Sequence, residues 1–267
     1  MKKYFSFFRV RFLMGLQYRT AAVAGMTTQF VWGLMEILVF RAFYAVNPAA
    51  FPMTFEATAS YIWLQQAFLA VFAAWLLEPE IFDCIVDGNV AYELCRPVNI
   101  YDMWFARSMA SRLSRAMLRC IPILLVAPLL PEPYGISPPP SGGCFCAFLF
   151  MLVHSFLVSV AFYMWIYVLT FYTISPMGLR IMVGSVVEFL SGGGIPLPFF
   201  PEKIQRFLEV LPFASMQNVP LRVYSGSMTP AKMQEAILLQ LFWLVMLVIV
   251  GRAMCARAVR HVTLQGG

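Results

Sequence analysis

Charged side chains are scarce in this sequence. Of its 267 residues, 12% are charged and 61% are hydrophobic, whereas soluble domains are about 25% charged. A chain with so few charges cannot cover a water-exposed surface, which excludes a soluble globular protein. The composition therefore predicts an integral membrane protein, and its long apolar segments predict an all-α fold.

Lysine is particularly rare, and the sequence lacks a phosphate-binding loop. None of the lysines follows a glycine, so the G-x-x-x-x-G-K-[ST] motif is missing and we do not expect this chain to bind ATP. The two histidines, His154 and His261, have no Ser-His-Asp or H-E-x-x-H pattern around them. We therefore expect no catalytic residues and no enzyme activity in the chain itself.

The six cysteines are scattered, and their spacing indicates no disulfide framework. Cys144 and Cys146 lie closest together, but no neighbouring histidine or acid completes a set of metal ligands. We expect no metal site and no cofactor bound by this chain. A cleavable signal peptide is not expected either, because Arg9 and Arg11 interrupt the apolar run that would follow the basic N-terminus.

Six apolar segments are predicted to span the bilayer, which a helix crosses with roughly 20 residues. They lie at about 21–44, 59–77, 116–130, 144–170, 179–190 and 236–253. Before them, residues 2–19 mix basic and aromatic side chains, which predicts an amphipathic helix in the membrane interface. Placing the N-terminus inside assigns most of the 19 lysines and arginines to the cytoplasm, so both termini are predicted to be cytoplasmic.

The third long helix is predicted to begin at Ile100, with Asn99 as its N-cap, and to run to about Leu130. Its first half carries four arginines. These are Arg107, Arg112, Arg115 and Arg119. Because arginine at the bilayer centre costs about 2.5–3.5 kcal/mol, we expect this half to project from the membrane or to snorkel. Arg112, Arg115 and Arg119 are candidates either to bind anionic lipid or to pair with acids of the preceding loop.

That loop, residues 78–96, concentrates acidic side chains between the second and third apolar segments. The acids are Glu78, Glu80, Asp83, Asp87 and Glu93. Ile81, Phe82, Ile85 and Val86 follow the spacing of one apolar face of a short helix. Asp87-Gly88 then supplies a turn, and a second short helix is predicted from Asn89 to about Arg96. This acidic helix–turn–helix, placed on the cytoplasmic side, predicts a docking surface for another protein.

The fifth apolar segment is broken by glycines and prolines that cannot continue a helix without cost, about 1 kcal/mol for glycine and about 3 kcal/mol for proline. They are Gly192, Gly193, Gly194, Pro196 and Pro198. The segment after them is too polar to span a bilayer yet rich in phenylalanine and leucine. It predicts two short helices, at 202–211 and 214–224, that dip into the outer leaflet.

Four polar residues inside the predicted spans are candidates for lining a path through the membrane. They are Glu36, Gln65, Gln66 and Glu188. An acidic side chain in lipid is costly and usually faces a partner or a water-filled path. Both interpretations, path lining and pairing between helices, remain open for Glu36 and Glu188, whereas pairing is favoured for the two glutamines.

Three local patterns, together with this arrangement of spans, resemble ABC-2-type exporter permeases. They are DGNVAYELCRPVN from Asp87 to Asn99, GGIPL from Gly193 to Leu197 followed by Phe200-Pro201, and the final Gln265-Gly266-Gly267. The resemblance covers essentially the whole chain. More narrowly, the three patterns resemble the branch of this family in which paired permeases accompany one separate ATPase.

The resemblance implies a single ABC-2-type transmembrane domain over residues 1–267. It would have six transmembrane helices, an N-terminal interfacial helix at 1–19, a cytoplasmic coupling loop at 78–99 and an outer re-entrant gate segment at 192–224. The glycine–proline break would be the hinge of that gate. The residues that would couple to the ATPase are Ile81, Phe82, Asp83, Ile85, Asp87, Gly88, Asn89, Glu93 and Arg96.

The resemblance also implies the partners and the location. Two copies of a cytoplasmic nucleotide-binding ATPase would carry ATP and Mg²⁺, and a second permease, identical or homologous, would complete the path in a bacterial plasma (inner) membrane. No nucleic-acid partner is expected. Substrates at the level of the family include drugs, antibiotics, peptides, lipids and glycans, and the sequence selects none of them.

Two other functions are compatible with the composition. One is a passive channel or a proton-coupled secondary transporter that uses Glu36 and Glu188. The other is a membrane scaffold without flux. Neither gives the acidic cytoplasmic loop a role, so an ATP-driven exporter subunit is the function that the sequence favours.

Overall fold

Helices make up the regular secondary structure of this protein. A computed structural model describes residues 2–173 and 175–260, and no β-strand occurs in these ranges. The α-helices are α1 (Lys2–Gly15), α2 (Arg19–Val46), α3 (Phe55–Ala67), α4 (Leu69–Phe72), α5 (Pro79–Val86), α6 (Val90–Leu94), α7 (Ile100–Val126), α8 (Gly142–Leu169), α9 (Pro176–Leu190), α10 (Glu202–Val210), α11 (Pro212–Met216), α12 (Asn218–Tyr224) and α13 (Pro230–Arg260). The predicted all-α fold is confirmed.

Within residues 2–173 and 175–260, three helical segments are long and apolar enough to cross a membrane. They are Ala22–Val46, Gly142–Tyr172 and Pro230–Arg260. They coincide with the first, fourth and sixth predicted spans. The number of six spans remains a prediction, since the other three apolar segments form shorter, interrupted or arginine-bearing helices.

The second predicted span is not one helix. Residues 59–77 were expected to be continuous, but α3 ends at Ala67 and α4 ends at Phe72. The guanidinium of Arg112 donates hydrogen bonds to the carbonyls of Val71 (3.1 Å), Ala73 (3.0 Å) and Leu76 (3.1 Å). These bonds replace those that a continued helix would supply, so the backbone can leave the helix while buried.

Arg112 itself is buried within the protein. Its side chain is 1% exposed, and its guanidinium lies over the ring of Tyr163, 4.0 Å from the centroid. The Tyr163 hydroxyl in turn donates to the carbonyl of Phe72. One arginine of α7 thus fixes the end of the α3–α4 segment against α8.

Helix α7 begins as the sequence predicts, since the Asn99 side chain accepts a hydrogen bond from the backbone N–H of Asp102 at 3.3 Å. Helix α1 packs along α7. Its Lys3 ammonium donates to the carbonyl of Pro97 (2.6 Å), and its Tyr4 hydroxyl accepts from the N–H of Asn99 (2.9 Å). The N-terminal helix is therefore attached to the entrance of α7.

The segment predicted to form the re-entrant gate, residues 192–224, differs from its prediction in one detail. The helix expected at 214–224 is divided at Gln217 into α11 and α12. Pro220 explains the division, because a proline in a helix interior removes a hydrogen bond and clashes with the preceding turn. Starting α12 at Asn218 places Pro220 in the first turn, where its missing N–H is tolerated.

Candidate functional site

The first half of the acidic loop is anchored to the body of the protein. Ile81 and Phe82 are 0% and 3% exposed. The Phe82 ring packs against Tyr167 of α8 with centroids 5.1 Å apart. The Tyr167 hydroxyl accepts a hydrogen bond from the backbone N–H of Glu78 at 2.8 Å. Two of the predicted coupling residues therefore face inward and hold the loop in place.

Ion pairs reinforce this anchor. The Glu80 carboxylate pairs with Arg107 and, at 3.3 Å, with Arg11. Glu78, 6% exposed, pairs with Arg115 at 2.9 Å. Of the two roles open for the α7 arginines, the structure shows pairing with the loop acids for Arg107 and Arg115. Helices α1, α5 and α7 are thereby joined.

The far end of the loop faces outward. We call this surface the loop tip; it consists of Asp83, Val86, Asp87, Gly88, Asn89, Tyr92 and Arg96, all exposed. Val86 is 60% and Tyr92 74% exposed. Gly88 has φ +73° and forms the predicted turn between α5 and α6. Apolar side chains bordered by carboxylates mark this tip as a surface suited to a protein partner.

Two more predicted coupling residues, Ile85 and Glu93, lie off the loop tip, and Tyr92 of the tip was not predicted. Glu93 accepts a hydrogen bond from the indole of the buried Trp104, so it anchors α6, and Ile85 is half-buried. Tyr92, in contrast, is the most exposed aromatic of the loop. The sequence offered a signal for it, since aromatic residues are enriched at protein interfaces.

Burial also affects the thiol of Cys84 in this loop. Desolvation, with the Glu93 carboxylate as the next cause, raises the pKa of Cys84 to about 11. In a variant with the other cysteines replaced by serine, we expect the alkylation rate to rise with pH towards a midpoint near 11, because the thiolate is the nucleophile. Unfolding in SDS should move the midpoint to about 8.5. Measuring iodoacetamide rates against pH checks this, and a native midpoint near 8.5 would contradict the packed loop.

A second feature is a large groove between α2, α3 and the backbone that follows α9. It encloses about 1020 Å³. All four predicted path residues line it: Glu36, Gln65, Gln66 and Glu188. Gly193 and Gly194 line it as well, whereas Gly192, Pro196 and Pro198 are buried behind it. The structure therefore brings the predicted path residues and part of the predicted hinge into one site.

The glycine break is bound to α3. Gly192 has φ +82° at the end of α9, and its carbonyl accepts a hydrogen bond from the Tyr61 hydroxyl at 3.4 Å. The Gln65 side-chain amide donates to the carbonyl of Gly193 at 2.5 Å. The Glu188 carboxylate lies against Gly193, where an added Cβ would be 2.8 Å from Oε1. The backbone freed from helix α9 is thus covered by protein.

Sequence reasoning missed several residues of the groove. Gln29, Trp32, Trp75 and Arg119 all line it. Gln29 precedes Glu36 by two helical turns and so shares its face of α2, a signal that the spacing carried. Arg119 also lines a smaller cavity of about 380 Å³ between α1 and α7, together with Arg11 and Glu78. Trp75 and Arg119 come from distant segments, and no local pattern indicates them.

Comparison with known protein families decides the identity. Residues 30–266 match the family described as ABC-2 family transporter protein. The chain belongs to this ABC-2 family. No curated protein matches the chain significantly. As an ABC-2 permease it is a multi-pass membrane protein and a transport subunit, and members of its family associate with an ABC ATPase.

Proposed function

We propose that this chain is the membrane-spanning subunit of an ATP-driven exporter. It crosses a bacterial plasma membrane six times with both termini in the cytoplasm, and residues 78–99 couple it to a separate ATPase. Two ATPase copies bind beneath it, and a second permease, identical or homologous, completes the translocation path.

The observation that carries this proposal is the loop that is anchored at one end and exposed at the other. Glu78 and Glu80 bind arginines of α1 and α7, and Ile81 and Phe82 pack into the body. The loop tip offers Asp83, Val86 and the other exposed side chains to the cytoplasm. A partner that pushes on such a tip displaces α5, α1 and α7 together rather than bending a flexible loop.

A continuous set of contacts leads from the tip to the groove. Helix α7 binds the loop through Arg107 and Arg115 at its first half and binds the end of the α3–α4 segment through Arg112. Helix α3 carries Gln65 and Gln66, which line the groove. Motion of the loop therefore has a physical route to the wall of the path through packed elements.

Support for a second permease comes from exposed apolar side chains on α2 and α9, next to the groove. On α9 these are Met177, Ile181, Met182, Val186 and Phe189, between 43% and 61% exposed. Such a surface is covered in the membrane by lipid or by another apolar helix. A partner permease placed here would close the open side of the groove.

Reversing the charge of Asp83 and Asp87 tests the coupling role. We expect the D83K/D87K variant to insert normally but to lose about tenfold or more of the co-purified ATPase, because like charges replace complementary ones at the tip. The matched control is E132K/E235K, which reverses two exposed glutamates outside the loop. The measurement is the ratio of ATPase to permease after affinity purification.

An unchanged ratio in D83K/D87K would contradict docking at the loop tip. Vanadate inhibition of transport in vesicles separates the remaining alternative. An ATP-driven exporter stops when vanadate traps its ATPase, whereas a channel or proton-coupled transporter that uses Glu36 and Glu188 continues.

A further inference from the structure

The groove has a wall of aromatic and aliphatic side chains. Trp32, Met35, Val39, Phe40, Phe43, Phe51, Trp75, Ile195 and Phe199 line it. Trp32, Val39 and Phe43 are between 54% and 59% exposed. Its volume of about 1020 Å³ reaches the upper end of the range of about 300–1,000 Å³ for small-molecule sites. The space and the apolar wall suit an amphipathic organic molecule.

Four buried polar atoms of residues that line the groove find no hydrogen-bond partner within the described ranges 2–173 and 175–260. They are Gln29 Nε2 and Oε1, Glu36 Oε1 and Gln65 Oε1. Gln29 and Gln65 are each 3% exposed. A buried amide that makes no hydrogen bond costs about 1–3 kcal/mol. These residues line the groove, so its wall beside Glu36 carries hydrogen-bonding groups that the described chain does not use.

The charges of the groove are separated along its length. Arg119 lies against Gly25, where an added Cβ would be 2.6 Å from its guanidinium carbon. From Gly25 to Glu36 the axis of α2 rises roughly 16 Å, at about 1.5 Å per residue. Glu188 lies beside Gly193, whose carbonyl accepts a hydrogen bond from the Gln65 side chain. Gln66 packs against Gly33, which precedes Glu36 by one helical turn. The region of Gln65 and Gln66 is therefore flanked by two carboxyl groups, away from the arginine.

We propose that this groove binds amphipathic organic cations, with the positive centre held by Glu36 and Glu188 and the apolar part against Trp32, Phe43 and Phe199. Carboxylates attract the charge in a region of low dielectric. Aromatic faces add cation–π attraction. The glutamine amides give a ligand with polar substituents its hydrogen bonds.

This inference adds a substrate class to the proposed function, and its test needs neither ATP nor a partner ATPase. It can therefore fail while the coupling proposal stands, and the co-purification experiment can fail while binding stands. The other occupants of the groove, a second permease chain or bilayer lipid, are outcomes of the same test.

The probe is tetraphenylphosphonium, compared with tetraphenylborate, an anion of the same shape and aromatic content. The full chain is reconstituted in lipid nanodiscs, and free probe is measured with ion-selective electrodes against empty nanodiscs. We expect saturable binding of the cation and at least about tenfold weaker binding of the anion. The variants E36Q and E188Q should each weaken cation binding about tenfold, whereas E132Q, at an exposed glutamate outside the groove, should not.

A second pair of variants tests the site without changing its charge. Val39 and Val31 lie on α2 and are 54% and 50% exposed, but only Val39 lines the groove. V39W should fill the space and reduce the affinity for the cation about tenfold. V31W should bind the cation with the affinity of the parent chain. Three results would each overturn the inference. The first is equal binding of the two ions, and the second is a cation affinity of E36Q and E188Q within twofold of the parent. The third is no saturable binding because protein or lipid fills the groove.

Discussion

Replacing Arg112 by methionine should destabilise the protein by roughly 3–5 kcal/mol, because two buried carbonyls and one partly buried carbonyl lose their donor at about 1–3 kcal/mol each. These are the carbonyls of Val71 in the last turn of α4 and of Ala73 and Leu76 beyond it, and Arg112 is their donor. Methionine has similar length but no N–H group. The loss should appear as a lower midpoint in detergent-denaturation curves followed by tryptophan fluorescence.

The matched control is R257M, since Arg257 is exposed near the end of α13 and its replacement should change stability by less than about 0.5 kcal/mol. R112K should fall between the two, because a single ammonium group cannot span three carbonyls with the planar fork of a guanidinium. Equal midpoints for R112M and R257M would show that the buried arginine does not hold this segment.

Substituting the three neighbouring glycines one at a time should give two different transport phenotypes. Gly192 has φ +82°, where an alanine costs about 1 kcal/mol or more of strain. A Cβ on Gly193 would lie 2.8 Å from Glu188 Oε1 and 3.0 Å from the Glu188 backbone carbonyl oxygen, so the groove wall must shift. Gly194 has open space around its Cβ position.

We therefore expect G192A and G193A each to reduce the export rate about tenfold, which corresponds to a free-energy cost of roughly 1.4 kcal/mol. G194A should export at a rate close to that of the parent. Transport into inverted vesicles, normalised to the amount of inserted protein, measures this. Full activity of G193A would contradict a hinge at this position, and a loss in G194A would show that the role of the glycines is not steric.

The elements that the sequence predicts well are those set by local chemistry. Helix α2 follows from an apolar run, the start of α7 from the Asn99 cap, and the turn at Gly88 from the need for a left-handed residue. The break after α9 follows from glycines and prolines that no helix accommodates. The predicted site residues Glu36 and Glu188 were identified because acids are rare in apolar segments, and the structure places both in the groove.

What the sequence does not show depends on contacts between distant residues. The backbone around the end of α4 is stabilised by Arg112, an arginine 36 to 41 positions away, and hydropathy alone extends that span to Leu77. Whether an apolar residue of α5 faces inward also depends on what packs there. Phe82 finds Tyr167 and is buried, whereas Val86, one turn later, is exposed.

The bond pattern of Arg112 has a mechanical consequence. A slide of α7 by a single residue, about 1.5 Å along its axis, would break three hydrogen bonds at once, since their acceptors belong to another segment. The two segments therefore move together, and a displacement of α7 is passed to the α3–α4 segment without any rewinding of the chain.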